Sequence, residues 1–396
     1  MSILAVNAGS SSLKFSLHGV RSEGVEPALF SGSLEGLEPG GRPVLRWRTA
    51  QRCVSQPLPS SEPDTFTAGL ARLGELLGEL PELPAVAAVA HRVVHGGPVY
   101  TACVRVTPEV LNVLAQFNSW APLHQPHNLQ GIRAFQRVFP DLPQVACFDT
   151  AYHATISDVR RAFAIPQVLS VQGLRRYGFH GLSYQYVMGV LQQRSVRAGR
   201  RVLMAHLGNG ASLCAALEGR SADTTMGFSA LDGLMMGTRC GALDAGVVLY
   251  LLAQGWDHDR LQDLLYRQSG LLGVSGISAD MRTLQADGSA AARHAIDVFT
   301  HRIVRESGAM CASLQGLDVL AFSGGIGEHD AVLRARVCQA LGWLGVGLDD
   351  AANRLAAGDR VMAIQTPTSA VEVWVVPTDE GRVAAREAAA LLGLRH

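Results

Sequence analysis

The chain has 396 residues and a formal net charge of zero, with 34 basic and 34 acidic residues. That length exceeds one ordinary core and predicts two domains, and 48% hydrophobic against 17% charged residues is enough to bury them, which excludes bulk disorder. No basic tail or stripe points to nucleic acid, and no apolar run reaches the ~18 residues of a membrane span.

The start, Met1-Ser2-Ile3-Leu4-Ala5-Val6, lacks the charged region of a secretory signal. Ile3 to Val6 reads as an apolar strand and Asn7-Ala8-Gly9-Ser10-Ser11-Ser12 as turn chemistry. Leu13, Phe15 and Leu17 then alternate with polar residues, the period of a half-buried strand, which puts Ser12, Lys14 and Ser16 on the other face. Residues Gly32 to Pro63, rich in Gly, Pro, Ser and Arg, predict edge strands and loops, and a helical pattern runs from about Phe66 to Leu80.

Five short apolar strands follow. They span Ala85 to Val94, Gln144 to Phe148, Arg201 to His206, Asp318 to Phe322 and Val371 to Val376. Each runs into a polar or glycine-rich segment: His95-Gly96-Gly97, Asp149-Thr150, Gly208-Asn209-Gly210, Gly324-Gly325 and Pro377-Thr378-Asp379-Glu380. In open α/β sheets, ligands bind outside the carboxyl ends of such strands. There is also an echo at an offset of 200 residues: Ala5, Ser12, Leu13, Leu17 and Gly19 recur as Ala205, Ser212, Leu213, Leu217 and Gly219, which predicts a duplicated domain. The seven cysteines are scattered with no C-x-x-C pair, which reads as reduced cytoplasmic thiols and no zinc site.

Each chemical motif has a plain alternative. The segment from Asn7 to Lys14 combines a glycine, hydroxyls and the chain's single lysine. Backbone N–H groups in such a turn form an anion nest, although a serine-rich hairpin explains the same residues. His206 to Ser212 is a second such turn, and its Asn-Gly pair is by itself a hairpin signal. Gly324-Gly325-Ile326-Gly327-Glu328 precedes a helical stretch from Ala331 to Leu341, a setting that suits an anion at a helix N-terminus or is a plain connection. Arg92 interrupts an apolar strand and Arg239 sits among glycines; a guanidinium fork suits carboxylate and phosphate oxygens, against the alternative of a solvated charge. His180, within Tyr177-Gly178-Phe179-His180-Gly181, suits donation to a developing charge or a place at the core edge. Asp149 and Glu380 at strand ends suit Mg²⁺ held with phosphates, whereas Asp149 and Asp379 also fit helix capping. Neither G-x-S-x-G nor G-x-G-x-x-G occurs, which removes support for acyl-enzyme hydrolysis and a dinucleotide fold.

Taken together these segments resemble the acetokinase family over most of the chain. The resemblance runs from Val6 to Phe15 through His91 to Gly97, Phe148 to Thr150, Tyr177 to Gly181, His206 to Ser212, Met226-Gly227-Phe228, Gly233 to Gly241, Ser269 to Gly273 and Ser323 to Glu328, ending at Pro377-Thr378-Asp379-Glu380. It implies two duplicated α/β domains of the RNase H-like, actin-like kind around a nucleotide cleft, as in the sugar kinase, actin and heat-shock ATPase superfamily. The first domain would be residues 1–150 joined by a C-terminal helix at 380–396; the second, residues 151–379, would bind nucleotide and form the dimer interface. The implied activity is reversible, direct in-line phosphoryl transfer from ATP to acetate with Mg²⁺ or Mn²⁺, in a cytoplasmic homodimer with no nucleic-acid or membrane partner. Propionate or another short-chain carboxylate as acceptor, or a non-kinase ATPase of the same fold, stays open.

The resemblance also implies roles. Arg92 and Arg239 would hold the carboxylate and the transferring phosphoryl, and His180 would donate to that phosphoryl. Asn7 and Asp149 would orient phosphate and metal, and Glu380 with Asn7 would hold Mg²⁺. ATP would meet Asn7, Ser10, Ser12 and Lys14 in the first hairpin, and His206, Leu207, Gly208, Asn209 and Gly210 in the second. Asp280, Met281, Arg282, Gly324, Gly325, Ile326, Gly327 and His329 would complete the nucleotide site. Arg92, Val94, Leu123, Phe179 and Ala230 would form the acceptor pocket. Ala230 stands where the family usually has proline, which leaves acetate against propionate open, and His329 stands where asparagine is common, which leaves base selectivity open. Gln125 and Tyr152 also depart from the family's asparagine and phenylalanine.

Overall fold

The computed structural model describes residues 1–9, 11–37, 41–58 and 65–394. The chain divides into two compact units, residues 1–151 with 379–396, and residues 152–378.

In the first unit the opening alternation folds as a hairpin. Strands β1 (Ser2–Ala8) and β2 (Ser12–Arg21) pair antiparallel with Asn7 opposite Lys14. Leu13, Phe15 and Leu17 are buried, while Ser12 and Ser16 are half-buried and Lys14 is exposed, so the period of two sorts the faces as expected. Antiparallel strands β3 (Gly24–Glu35), β4 (Val44–Arg48) and β5 (Cys53–Pro57) extend one side. On the other side lie β6 (Val86–Val93), β7 (Val104–Arg105) and β8 (Gln144–Phe148); β6 runs parallel to β1 and β8 parallel to β6. The spatial order is β5-β4-β3-β2-β1-β6-β8-β7.

The helix Thr65–Glu79 buries Leu70, Leu73 and Leu76 at three-residue spacing against the core beneath β1 and β2. Each such leucine contributes about 1.5–3 kcal/mol by leaving water. The C-terminal helix Glu380–Leu391 presents buried Ala384, Ala385, Ala388 and Ala389. Small side chains let it lie close on β1, β3 and β6, and they bring Glu380 to the strand ends.

The second unit repeats the plan. Strands β9 (Arg201–Leu207), β10 (Ala211–Leu217), β11 (Arg220–Thr224), β12 (Val319–Ser323), β13 (Met362–Ala363) and β14 (Glu372–Val375) have the order β11-β10-β9-β12-β14-β13. Strand β12 is parallel to both β9 and β14. The series β3-β2-β1-β6-β8 and β11-β10-β9-β12-β14 therefore have the same order and sense, and each ends in a short antiparallel edge strand. The 25-residue helix Ala290–Leu314 packs on β9, β10 and β11.

Two details differ from the sequence reading. The hairpins recur, but Asn7 faces Lys14 whereas Leu207 faces Ala211. The second turn is tighter, so the residues matched at an offset of 200 on both strands of the hairpin cannot all be structurally equivalent. The segment read as a glycine loop before a helix is itself helical, Gly324–His329, followed by a second helix at Ala331–Ala340. Among the described residues all seven cysteines are free, and no helix is long and apolar enough to cross a membrane.

Candidate active site

In the first unit the site forms where β1, β6 and β8 end. Arg92, on β6, lies opposite Cys147 on β8, two residues before Asp149. Its Nε donates to Asp149 Oδ1 at 2.9 Å and its Nη2 to Oδ2 at 2.6 Å, a bidentate pair. Glu380 Oε2 lies 3.4 Å from the same Nε. Burial works against the guanidinium charge, but the two carboxylates hold its pKa above the ordinary arginine value. Asp149 thus pairs with Arg92, and Asp379 caps a helix, accepting from Arg382 N at 2.9 Å.

Buried amides hold these ends in place. Asn128 accepts from Val94 N at 3.0 Å and donates to Ala8 O at 2.8 Å, tying β6 to β1 beside Asn7. Gln125 bridges both main-chain polar groups of His95, accepting from its N–H at 3.2 Å and donating to its carbonyl at 3.0 Å. Asn7 and Leu123 are half-buried and Val94 is buried. Ser10 lies outside the described residues.

In the second unit His180 is the N-cap of helix Gly181–Arg194 and sits in the left-handed region at φ 58°. Such a conformation in a residue other than glycine costs about 1–3 kcal/mol and marks functional sites. It is over-determined here. His153 accepts at Nδ1 from Ser221 Oγ at 2.8 Å and donates from Nε2 to Phe179 O at 2.9 Å. Burial pushes the His153 pKa down to about 4, so the ring is neutral near pH 7. Arg176 Nη1 gathers the carbonyls of Thr224, Thr225 and Met226, and Tyr177 N donates to Gly227 O at 2.9 Å, which explains the Met226-Gly227-Phe228 motif. His206 stacks on His180 with centroids 4.3 Å apart and accepts or donates at Nδ1 with Ser183 Oγ at 2.8 Å.

Gly210 brings Arg239 and His180 together. A Cβ at that position would stand 2.6 Å from Arg239 Nη2 and 3.3 Å from His180 Nε2, so only glycine lets both approach the turn. Arg239 Nη1 donates to Ala230 O at 2.6 Å, and Gly237 N donates to Asn209 O at 3.0 Å. The Arg239 loop leans on Ser269–Gly273: Ser269, Leu271 and Leu272 donate main-chain bonds to the Thr238, Met236 and Gly237 carbonyls at 2.8–3.0 Å. Gly270, at φ 64°, packs a Cα against those carbonyls where a Cβ would clash.

The helix Gly324–His329 abuts the second hairpin, with a Cβ site on Gly208 3.7 Å from Gly325 N. Glu328 accepts from Gly324 N at 2.8 Å and Thr378 N at 3.0 Å. Arg334, fully buried, donates to the carbonyls of Gly327, Glu328, Asn353 and Ala356 and to Asn353 Oδ1 at 2.7–2.9 Å. Gly325 and His329 are exposed and Ile326 is half-buried. His329 Nδ1 is 2.6 Å from Ala357 O.

Other expected residues are less available. The Met281, Leu207 and Phe179 side chains are buried, at 3%, 0% and 1% exposure. Asp280 caps helix Met281–Asp287 through Arg282 N at 2.8 Å and pairs with the Arg282 side chain. Those bonds hold its carboxyl down at about 2. Asn128, His153 and Arg334 are the supports that motif reading missed; their partners are mostly carbonyls and N–H groups elsewhere in the chain.

The Acetokinase family model matches residues 2–386. A protein named acetate kinase from Rhodopseudomonas palustris (strain ATCC BAA-98 / CGA009) is 49% identical over 389 residues, covering 97% of this chain and 96% of its own. One from Nitrobacter hamburgensis is 46% identical over 397 residues, covering 99% and 96%. Among solved structures, a propionate kinase from Francisella tularensis subsp. tularensis SCHU S4 superposes with a TM-score of 0.89 at 34% identity, covering 98% of each chain. The Porphyromonas gingivalis acetate kinase gives 0.87 at 33%, covering 99% of each. The chain therefore belongs to the acetokinase family and has its fold, two duplicated actin-like α/β units.

Proposed function

We propose that the chain is a phosphotransferase that moves the γ-phosphoryl of ATP to acetate, reversibly and in one in-line step, giving ADP and acetyl phosphate. The observation that carries the reading is the convergence of Arg239 and His180 on Gly210, in a chain whose relatives are named acetate kinases. A loose phosphoryl transition state spreads negative charge over the equatorial oxygens, so the protein's task is to position and neutralise. Arg239 and His180 supply a fixed cation and a hydrogen-bond donor for those oxygens. Acetate is ionised near neutral pH, as carboxyl groups are, and needs no general base.

Arg92 is the counter-charge for the acceptor carboxylate. Its bidentate partner Asp149 leaves it oriented and permanently charged. Val94 and Leu123 in the first unit are proposed to face the methyl group, and in the second unit Phe179 and Ala230 are proposed for the same role. Asn7, Ser12 and Lys14 in one hairpin and His206 to Gly210 in the other are proposed to meet phosphate. Asp280, Arg282 and the helix Gly324–His329 are proposed to bind the nucleoside. The described residues hold no cluster of three or more His, Cys, Asp or Glu able to hold a metal alone. Asn7, Asp149 and Glu380 nevertheless present hard oxygen donors in one unit, the set that holds Mg²⁺ through one or two carboxylates with phosphate and water. Bound there, Mg²⁺ would neutralise phosphate charge, and Asn7 and Glu380 are the residues proposed to hold it.

We further infer a cytoplasmic homodimer. Helix Ala245–Ala253 carries no charged residue and buries none of its side chains, with Leu249 at 67% and Tyr250 at 63% exposure. A light-scattering mass of one chain would overturn it. Function is tested by trapping acyl phosphate with hydroxylamine in the presence of acetate and MgATP. Acetyl hydroxamate is the expected product, and ATP hydrolysis without it would favour an ATPase.

A further inference from the structure

We propose that Tyr184 and Ser212 are positioning residues that fix which ring nitrogen of His180 carries the proton. Ser212 Oγ lies 2.8 Å from His180 Nδ1 and 2.5 Å from the Tyr184 hydroxyl. Tyr184 and Ser212 are fully buried and His180 is 9% exposed, so each hydroxyl proton needs a partner within the protein. The phenol has one proton, and Ser212 Oγ is its partner.

These bonds set a direction. The phenol donates to Ser212 Oγ, and the serine passes its own single proton toward Nδ1. Nδ1 therefore accepts, and the neutral imidazole carries its proton on Nε2. In the reverse order, Nδ1–H would donate to the serine and the serine to the phenol, which would leave the buried phenol proton without an acceptor. Nε2 is the atom beside Gly210, on the side Arg239 also approaches. The stacked His206 ring, held through Ser183 Oγ, keeps the plane of His180.

This inference rests on the proposed phosphotransferase reading for its catalytic meaning. An Nε2–H presents a donor to the transferring phosphoryl, whereas the other tautomer would present a lone pair to an anion. Tyr184 and Ser212 touch no reacting atom; they act through His180.

The test is ring ¹⁵N NMR of protein labelled at histidine, with the His180 signals identified by their loss in His180→Asn. Wild type is expected to show His180 protonated on Nε2. Ser212→Ala is expected to populate the Nδ1–H tautomer and to lower kcat about 10- to 100-fold, with KM for ATP and acetate within about threefold. Tyr184→Phe keeps the ring but removes the proton that orders the serine, so it should move both readouts the same way and less far. A wild-type His180 protonated on Nδ1, or a Ser212→Ala enzyme that is folded with unchanged tautomer and kcat, would overturn the proposal. The tautomer is read without substrate, so absence of kinase activity in wild type would defeat the functional reading separately.

Discussion

Arg239 carries the sharpest consequence at the scale of single residues. It is half-buried, spends one nitrogen on Ala230 O and directs another toward Gly210 beside His180. Arginines that neutralise a phosphoryl transition state are worth roughly 10³-fold or more in rate. Arg239→Ala should therefore lower kcat by about that factor, measured as acetyl phosphate formed under saturating substrates, while the protein stays folded; near-normal turnover would remove Arg239 from the mechanism. Arg92, Asp149, His180 and Arg239 were legible in the sequence as candidates, because Arg92 interrupts an apolar strand, Asp149 follows a buried one, His180 lies between an aromatic and a glycine, and Arg239 sits among glycines. Asn128, His153 and Arg334 were not. Their work is to satisfy main-chain groups at distances of 120, 26 and 22 residues, and nothing in local spacing encodes such partners. Asp280 shows another limit of local reading, since residue type alone does not reveal its capping bond to Arg282 N.

Among the elements, the strands were legible and the turns less so. Alternation in β2 and the apolar runs of β6, β8, β9 and β12 follow from burial on one or both faces. Hairpin register was not legible, because it depends on turn geometry rather than on which residues match. The glycine run at Gly324 reads as a loop by composition. It folds as a helix because Glu328 anchors its first N–H and Arg334 gathers its last carbonyls. The Ser269–Gly273 segment shows how one element supports another's chemistry. Gly270→Ala would place a Cβ against the Met236 carbonyl at φ 64°, costing about 1–2 kcal/mol from the backbone conformation before any clash. The Arg239 loop should shift, and since a positioned group displaced by about 1 Å costs roughly 10²-fold in rate, kcat should fall by at least about tenfold, with little change in far-ultraviolet circular dichroism. Unaltered kinetics in Gly270→Ala would show that the loop does not depend on this buttress.

Across the whole molecule, two buried histidines set how the fold responds to acid. Burial holds His91 and His153 down at about 4, His91 against Gln144 and His153 between Ser221 and Phe179. An unfolded histidine titrates near 6.5, so between pH 6.5 and about 4 the unfolded chain binds more protons than the native one. Stability from these groups is complete above pH 6.5 and is lost as pH falls toward 4, with a slope of up to about 1.4 kcal/mol per pH unit for each. Urea midpoints measured at pH 7.5, 6.0 and 5.0 should fall in that order, and a flat series would show that the two rings are not held neutral. Duplication was legible at this scale only as a faint echo; two sheets of the same order and sense carry it. The central claim is that the chain passes a phosphoryl group between a carboxylate and a nucleotide, and the reverse reaction tests this most directly. Incubated with Mg²⁺, ADP and acetyl phosphate, the protein should form one ATP for each acetyl phosphate consumed. Consumption of acetyl phosphate to inorganic phosphate, with no ATP formed, would contradict the account.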